Sequence, residues 1–206
     1  MYQYMILGIT FAFAAVVQPG PLQAYLISQT LTKGWKRTLP AALAPIISDG
    51  PIILLVLFIL TNLPKSFLNV LQIGGGIFLL YLAYNTFKTW KKFDPKEEHN
   101  VHSKQQTLFK AVVVNILNPS PYLGWSLVMG PLLLKGWHEN PANGIALIIS
   151  FYVTIVVGLA TTVFLSAAAK SLGSKTNKIL IGISAFALAC FGLYELWSGI
   201  TAYLKI

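Results

Sequence analysis

Val16-Val17-Gln18-Pro19-Gly20-Pro21 interrupts an apolar run from Tyr4 to Thr30, and about a hundred positions later Ile116-Leu117-Asn118-Pro119-Ser120-Pro121 interrupts a second, from Leu108 to Leu134. Two prolines separated by one residue stop a helix, because each lacks an amide hydrogen and its ring crowds the preceding turn. In hydrocarbon every backbone group needs an internal partner, so a broken helix at membrane depth is tolerated where it lines a protein-enclosed cavity. Matching breaks in two halves of a chain are the pattern of a transporter binding site.

Composition leads to the same class. Over 206 residues the chain is 55% hydrophobic and 10% charged, and the charges gather between long apolar runs. A soluble domain of this length needs a charged outer surface that these residues do not supply, so the chain reads as an all-α integral membrane protein. The single cysteine, Cys190, excludes a disulfide framework and a two-cysteine redox pair, and is expected to serve packing. A bilayer core needs roughly twenty helical residues. On that measure six spans are expected, near 4–30, 39–61, 66–87, 108–134, 142–168 and 179–203. Ala12-Phe13-Ala14 has the small-x-small form of a cleavage site, but no Lys or Arg precedes it, and the first span is kept as a helix of the mature protein.

Orientation follows from the basic residues. Lys33, Lys36 and Arg37, then Lys88, Lys91, Lys92, Lys96, Lys104 and Lys110, then Lys170, Lys175 and Lys178 fall in alternate connections, while only Lys65, Lys135 and Lys205 fall on the other side. Basic loops stay in the cytoplasm, which places both termini outside. The net charge of +9 is therefore explained without a nucleic-acid partner, by loop asymmetry and attraction to anionic lipid headgroups.

The connection from Lys88 to Gln106 mixes charges with Pro95 and marks a hinge between halves. The expected organisation is a first three-helix repeat over 1–90, a cytoplasmic linker over 91–107 and a second three-helix repeat over 108–206. An odd number of spans per repeat inverts the second half relative to the first. Ala44-Pro45-Ile46-Ile47-Ser48 aligns with Ala146-Leu147-Ile148-Ile149-Ser150, and the third and sixth spans agree weakly through Ile73-Gly74 and Ile181-Gly182.

Chemistry at the breaks comes from the backbone. Prolines there are expected to free the carbonyls of Ala15, Val17, Asn115 and Leu117, and half-helices starting near Leu22 and Tyr122 present amides and a positive dipole end to the midplane. A zwitterionic amino acid matches such a site, its carboxylate on the amides and its ammonium on the carbonyls and an acidic side chain. The expected substrate-binding residues are Gln18, Pro19, Gly20, Pro21, Asn115, Asn118, Pro119, Pro121, Tyr122 and Trp125, the last as a pocket wall.

Asp49 lies about ten residues, roughly 15 Å of helix, from the inner end of the second span. An ionised carboxylate at that depth costs several kcal/mol unless it is paired or wetted, so Asp49 must face a cavity or carry a proton. It is the proton-coupling candidate, with Gly50-Pro51 expected to loosen its helix; its counterpart in the second half is Phe151, which breaks the repeat symmetry where the charge lies. Glu195 is a second, weaker coupling candidate, set toward the outer leaflet about 10 Å from Asp49 in depth. It either borders the exit path or reaches interfacial water beside Trp197. His99, His102 and His138 are too dispersed for a metal site, and no cofactor is expected. Trp35, Trp90, Trp137 and Trp197 fall near span ends, where amphipathic rings settle.

Pro19-Gly20-Pro21, Gly34 followed by Lys36 and Arg37, Asp49 in the second span, and Phe109-Lys110 leading into Leu117-Asn118-Pro119 together resemble the LysE/RhtB family of amino-acid exporters over nearly the whole chain. Such proteins often carry Lys after the Asn-Pro, where this chain has Ser120, and glycines in the second helix, where it has Leu43-Ala44-Pro45. Both departures bear on the substrate rather than on the family. The resemblance implies a secondary exporter of amino acids or close derivatives in a bacterial cytoplasmic membrane, probed below against other classes. Its implied partners are the small-molecule substrate, a proton, membrane lipid and further copies of the chain. A metal-cation exporter of similar architecture is the nearest alternative, and a membrane-embedded enzyme the next. The sequence has no phosphate-binding loop of the Walker type and no nucleophile–base pair in its spans, and the redox relatives need paired cysteines that it lacks.

Overall fold

The protein is seen here in a computed structural model that describes residues 1–18, 20–59, 65–93 and 104–203, and those residues are helical apart from short connections. Four stretches are long and apolar enough to cross a bilayer, Trp35–Val56, Asn69–Lys91, Pro141–Lys170 and Ser174–Ala202. Helices α1 (Tyr2–Val17) and α2 (Pro21–Lys33) form a fifth if counted as one span, bent by 61° at the first break. Gly34 ends α2 at φ 83°, a left-handed backbone that glycine adopts without Cβ strain, and turns the chain into α3 (Trp35–Thr38). A 3₁₀ stretch, Leu39–Leu43, then feeds α4 (Ala44–Ile59), and α5 (Lys65–Lys91) completes the first half.

The expected span 108–134 is broken at Pro119 and Pro121, as its sequence leads one to expect, and it is divided once more beyond that break. It is divided among α6 (Lys104–Leu117), α7 (Pro119–Gly124), a π-helical turn at Trp125–Met129 and α8 (Gly130–Glu139). Proline placement explains the division. Pro119 and Pro121 end α6, and Pro131 lacks an amide and crowds the carbonyl one turn earlier, a conflict that the wider π turn accommodates. Long helices α9 (Pro141–Lys170) and α10 (Ser174–Tyr203) follow.

Several local expectations are corrected. The Asn115 carbonyl is not freed, because the Asn118 amide donates to it at 3.3 Å. The second half-helix starts at Pro119 rather than near Tyr122, since proline at the first helical position gives up an amide that has no helical partner anyway. Cys190 is exposed on α10 instead of packed. Helix α6 begins at Lys104, inside the expected linker, while His99 and His102 lie outside the described residues, as does Pro19.

Helix pairing sets the frame of the site. Helix α5 runs against α10, α1 against α9, and α4 against α6, α7 and the π turn. Lipid removes the hydrophobic drive between helices, so close approach of small residues does the work. A Cβ on Gly76 would lie 2.7 Å from the Gly192 carbonyl and 2.6 Å from Leu196, so α5 and α10 touch backbone to backbone. Ser28 of α2 and Thr86 of α5 share a buried hydrogen bond of 2.8 Å, a kind of contact that adds about 0.6 kcal/mol between membrane helices. Two apolar clusters result, one around Tyr25, Leu26, Leu82 and Leu188, the other around Ile52, Trp125, Met129 and Phe151. Outward faces remain apolar, with Phe13 62%, Leu127 72% and Phe186 72% exposed, which is the surface a hydrocarbon solvent requires.

Candidate functional site

A cavity of about 410 Å³ lies where the two breaks face each other, and residues of both apolar clusters wall it. Gln18, Gly20 and Pro21 line it from the first break, Asn115, Asn118 and Pro121 from the second, with Trp125, Asp49 and Glu195. Two of the expected residues stand back from it. Tyr122 is buried in the second cluster, and Pro119 is buried at the start of α7.

At the first break the backbone is extended through Gln18, whose amide still closes the last turn of α1 on the Ala14 carbonyl at 3.0 Å. Gly20 precedes α2 with no side-chain cap, and Pro21 has no amide to offer, so the Leu22 and Gln23 amides are the leading donors of that helix end. Gln23 reaches back across the break, its Nε2 donating to the carbonyls of Val16 at 2.5 Å and Ala15 at 3.3 Å. A side-chain amide thus stands in for the backbone partners that these two carbonyls lose where the helix breaks.

The second break is closed differently. Asn118 caps α7, its Oδ1 accepting from the Ser120 amide at 3.1 Å, and the Tyr122 hydroxyl donates to the Ile116 carbonyl at 2.9 Å. The π turn that follows aims the Trp125 indole at Asp49.

Asp49 is 3% exposed and four side chains reach its carboxylate, the Ser48 hydroxyl dividing its single hydrogen between Asp49 and the Ala44 carbonyl at 2.9 Å. Asn115 Nδ2 at 3.0 Å and Ser48 Oγ at 3.4 Å meet its Oδ1, and Trp125 Nε1 at 3.4 Å and the Tyr152 hydroxyl at 3.5 Å meet its Oδ2. Asn115 also donates to Ser48 Oγ at 2.7 Å, tying α6 to α4 through two contacts. Phe151 sets its edge against both Trp125 and Tyr152, with centroids 5.7 and 5.1 Å apart, and so holds these two donors in place. Each of these groups can donate to an ionised carboxylate; a proton on Asp49 turns one acceptor position into a donor, which the Ser48 or Tyr152 hydroxyl can meet by turning its own hydrogen elsewhere. Across the cavity Glu195 is 7% exposed, and its Oε2 has no hydrogen-bond partner among the described residues. A buried carboxylate oxygen left without a partner is costly unless a proton or a guest supplies one.

The sequence pattern of the LysE type translocator family matches residues 13–199, a stretch that contains both breaks, Asp49 and Glu195. The chain belongs to that family. It is also 32% identical over 136 residues to a protein of Bacillus subtilis (strain 168) named "Putative amino-acid transporter YisU", a match covering 64% of this chain and 61% of that relative. The chain thus spans under two thirds of that relative's length in the match. No solved structure matches it. Family membership supports transport as the activity and agrees with the long apolar helices.

Among translocator residues that sequence reading passed over, Gln23 and Tyr152 matter most. Gln23 had a signal, being a polar side chain two residues past a helix break in an otherwise apolar run. Tyr152 had a fainter one, a hydroxyl beside Phe151, the position that pairs with Asp49 in the repeat alignment. Ser48 was visible only as a neighbour of Asp49.

Proposed function

We propose that this chain is a secondary exporter of amino acids or close derivatives across the bacterial cytoplasmic membrane, driven by proton antiport. The carrying observation is Asp49, buried at the cavity wall and held by donors from α4, α6, the π turn and α9. Protonation there reverses or releases one of these hydrogen bonds, which links the arrival of a proton to the contacts among four segments. The leading amides of α2 take a substrate carboxylate, as helix N-termini favour anions, and Asp49 or Glu195 takes the ammonium. Antiport follows, because the ammonium and the proton then compete for one carboxylate.

The architecture we propose is six spans in two inverted three-helix repeats, 1–90 and 108–206, joined by a linker over 91–107, with both termini external. In this reading α6, α7, the π turn and α8 together make the fourth span, and α5·α10, α1·α9 and α4·α6 are the pairings that a twofold axis in the membrane plane would relate. The broken first and fourth spans then meet at the cavity, as inverted-repeat transporters place their sites.

Proteoliposomes with an imposed pH gradient test the mechanism. Asp49→Asn keeps the size of a protonated aspartate but carries no charge, so net uphill movement should fall about a hundredfold or more; exchange between loaded compartments, which needs the ammonium site and no proton, should weaken with it where Asp49 holds the ammonium and survive where Glu195 does. Concentration of substrate by that variant would overturn proton coupling at Asp49. Protection of cells by divalent-cation efflux, with no protection against dipeptides that load cells with single amino acids, would favour the metal-exporter alternative.

A further inference from the structure

Away from the central cavity, a second hollow of about 670 Å³ opens between α5 and α10 on the bilayer-facing side. Ala83 and Gly182 lie among its lining residues, and its walls are Tyr84, Phe87 and Phe186. Gly182 sits against the Trp90 indole, since a Cβ there would meet Nε1 at 2.9 Å. The groove runs along α5 from Leu80 to Trp90, ten residues or about 15 Å of helix, which is half of a hydrocarbon core about 30 Å thick. It is therefore as deep as one leaflet.

Charge gathers at one end of this apolar slot. On α5 the lining stripe Leu80, Tyr84, Phe87 continues at the helical interval to Lys91, whose Nζ lies 5.5 Å above the Phe87 ring. On α10 the stripe Ile179, Ile183, Phe186 continues backwards to Lys175, one turn before Ile179. Both lysines are exposed; 171–183 contains no acidic residue, and on the other side the first to follow Lys91 is Asp94, three positions on in the sequence. A twofold pairing of two copies through this face would set these lysines against their own counterparts, which disfavours a second chain as the occupant. Basic pockets between membrane helices suit phosphate headgroups, and each nearby lysine contributes about 1 kcal/mol to binding an anionic surface.

We infer that the α5/α10 groove is a binding site for one anionic phospholipid of the leaflet on the lysine side, with an acyl chain along Leu80 to Trp90 and the phosphate between Lys91 and Lys175. The site fixes a lipid to the helix pair that the glycine contact at Gly76 and Gly192 already joins, its inner end at Ala189 lying two residues from Phe191 of the central cavity wall.

Native mass spectrometry of the full chain in detergent, titrated separately with dioleoyl phosphatidylglycerol and dioleoyl phosphatidylcholine, reads the proposal directly. The first phosphatidylglycerol should bind about tenfold or more tightly than phosphatidylcholine. That preference should vanish in Lys91→Gln/Lys175→Gln and persist in Lys88→Gln/Lys92→Gln, which removes the same charge from the same end but off the lining stripe. Soluble glycerol 3-phosphate should not compete, because it has no chain to fill the groove. Equal binding of the two lipids, equal loss in both double variants, competition by glycerol 3-phosphate, or a lipid-free dimer in place of the lipid adduct would each overturn the site.

Discussion

The two helix breaks share a proline pattern and differ in how they are closed. At the first, Gln23 spans the gap from downstream and leaves the end of α2 uncapped; at the second, Asn118 caps α7 and Tyr122 fastens it to Ile116. The first break therefore keeps donors open to the cavity, while the second uses up its own. Compensating for this, the second half supplies the residues that hold Asp49, Asn115, Trp125 and Tyr152. Duplicated backbone geometry has been turned to two tasks: an open helix end on one side, and a cradle for a carboxylate on the other.

The strongest way to break this comparison is Asn115→Leu. It removes two hydrogen bonds and leaves Asp49 and Ser48 short of a buried donor, which should cost about 1–3 kcal/mol of stability and at least about a hundredfold in transport. Thermal unfolding in detergent and counterflow into proteoliposomes would report the two losses; transport near the parent level would remove Asn115 from the cradle. Next in size, Pro19→Ala/Pro21→Ala should let a helix run through the first break and recapture its carbonyls, lowering transport by roughly tenfold in a normally inserted protein. Full export by a correctly inserted double variant would reduce that motif to packing. The mildest change is Glu195→Gln, which should shift apparent substrate affinity by about threefold and leave the coupling ratio intact, as a flux assay over a range of substrate concentrations would show. A lost pH dependence in that variant would move the coupling role from Asp49 to Glu195.

Much of this was legible before any coordinates. Charge-poor apolar runs announced the helices, and paired Pro-x-Pro segments marked the cavity, because proline acts through the covalent backbone and needs no tertiary context to break a helix. Asp49 stood out since a carboxylate in an apolar run has few places to go. Its donors were harder to see. Asn115 and Trp125 were named for nearness to the break rather than for Asp49, and Tyr152 comes from another helix 103 residues away, a meeting that only packing decides. In span 108–134 the break at Pro119 and Pro121 was expected, and only the π turn was missed, because hydropathy averages over Pro131 and cannot register a single wider turn. Gln23 was overlooked because its reach is a rotamer choice, made once α1 and α2 are bent.

That wider turn has a consequence for the phase of everything after it. Between Trp125 and Met129 the ladder closes on the fifth residue, the Gly130 amide meeting the Trp125 carbonyl, so one extra residue is taken up without lengthening the path. An α-helix advances about 100° per residue. Trp125 can therefore point at Asp49 while Met129, Leu133 and Gly136, further on, keep their own buried bearing. The π turn works as a vernier between the half of the span that reads the cavity and the half that anchors it; deleting Ser126 would remove the extra residue and close a plain α-helical turn, leaving Leu133 on its buried bearing and re-aiming the Trp125 indole.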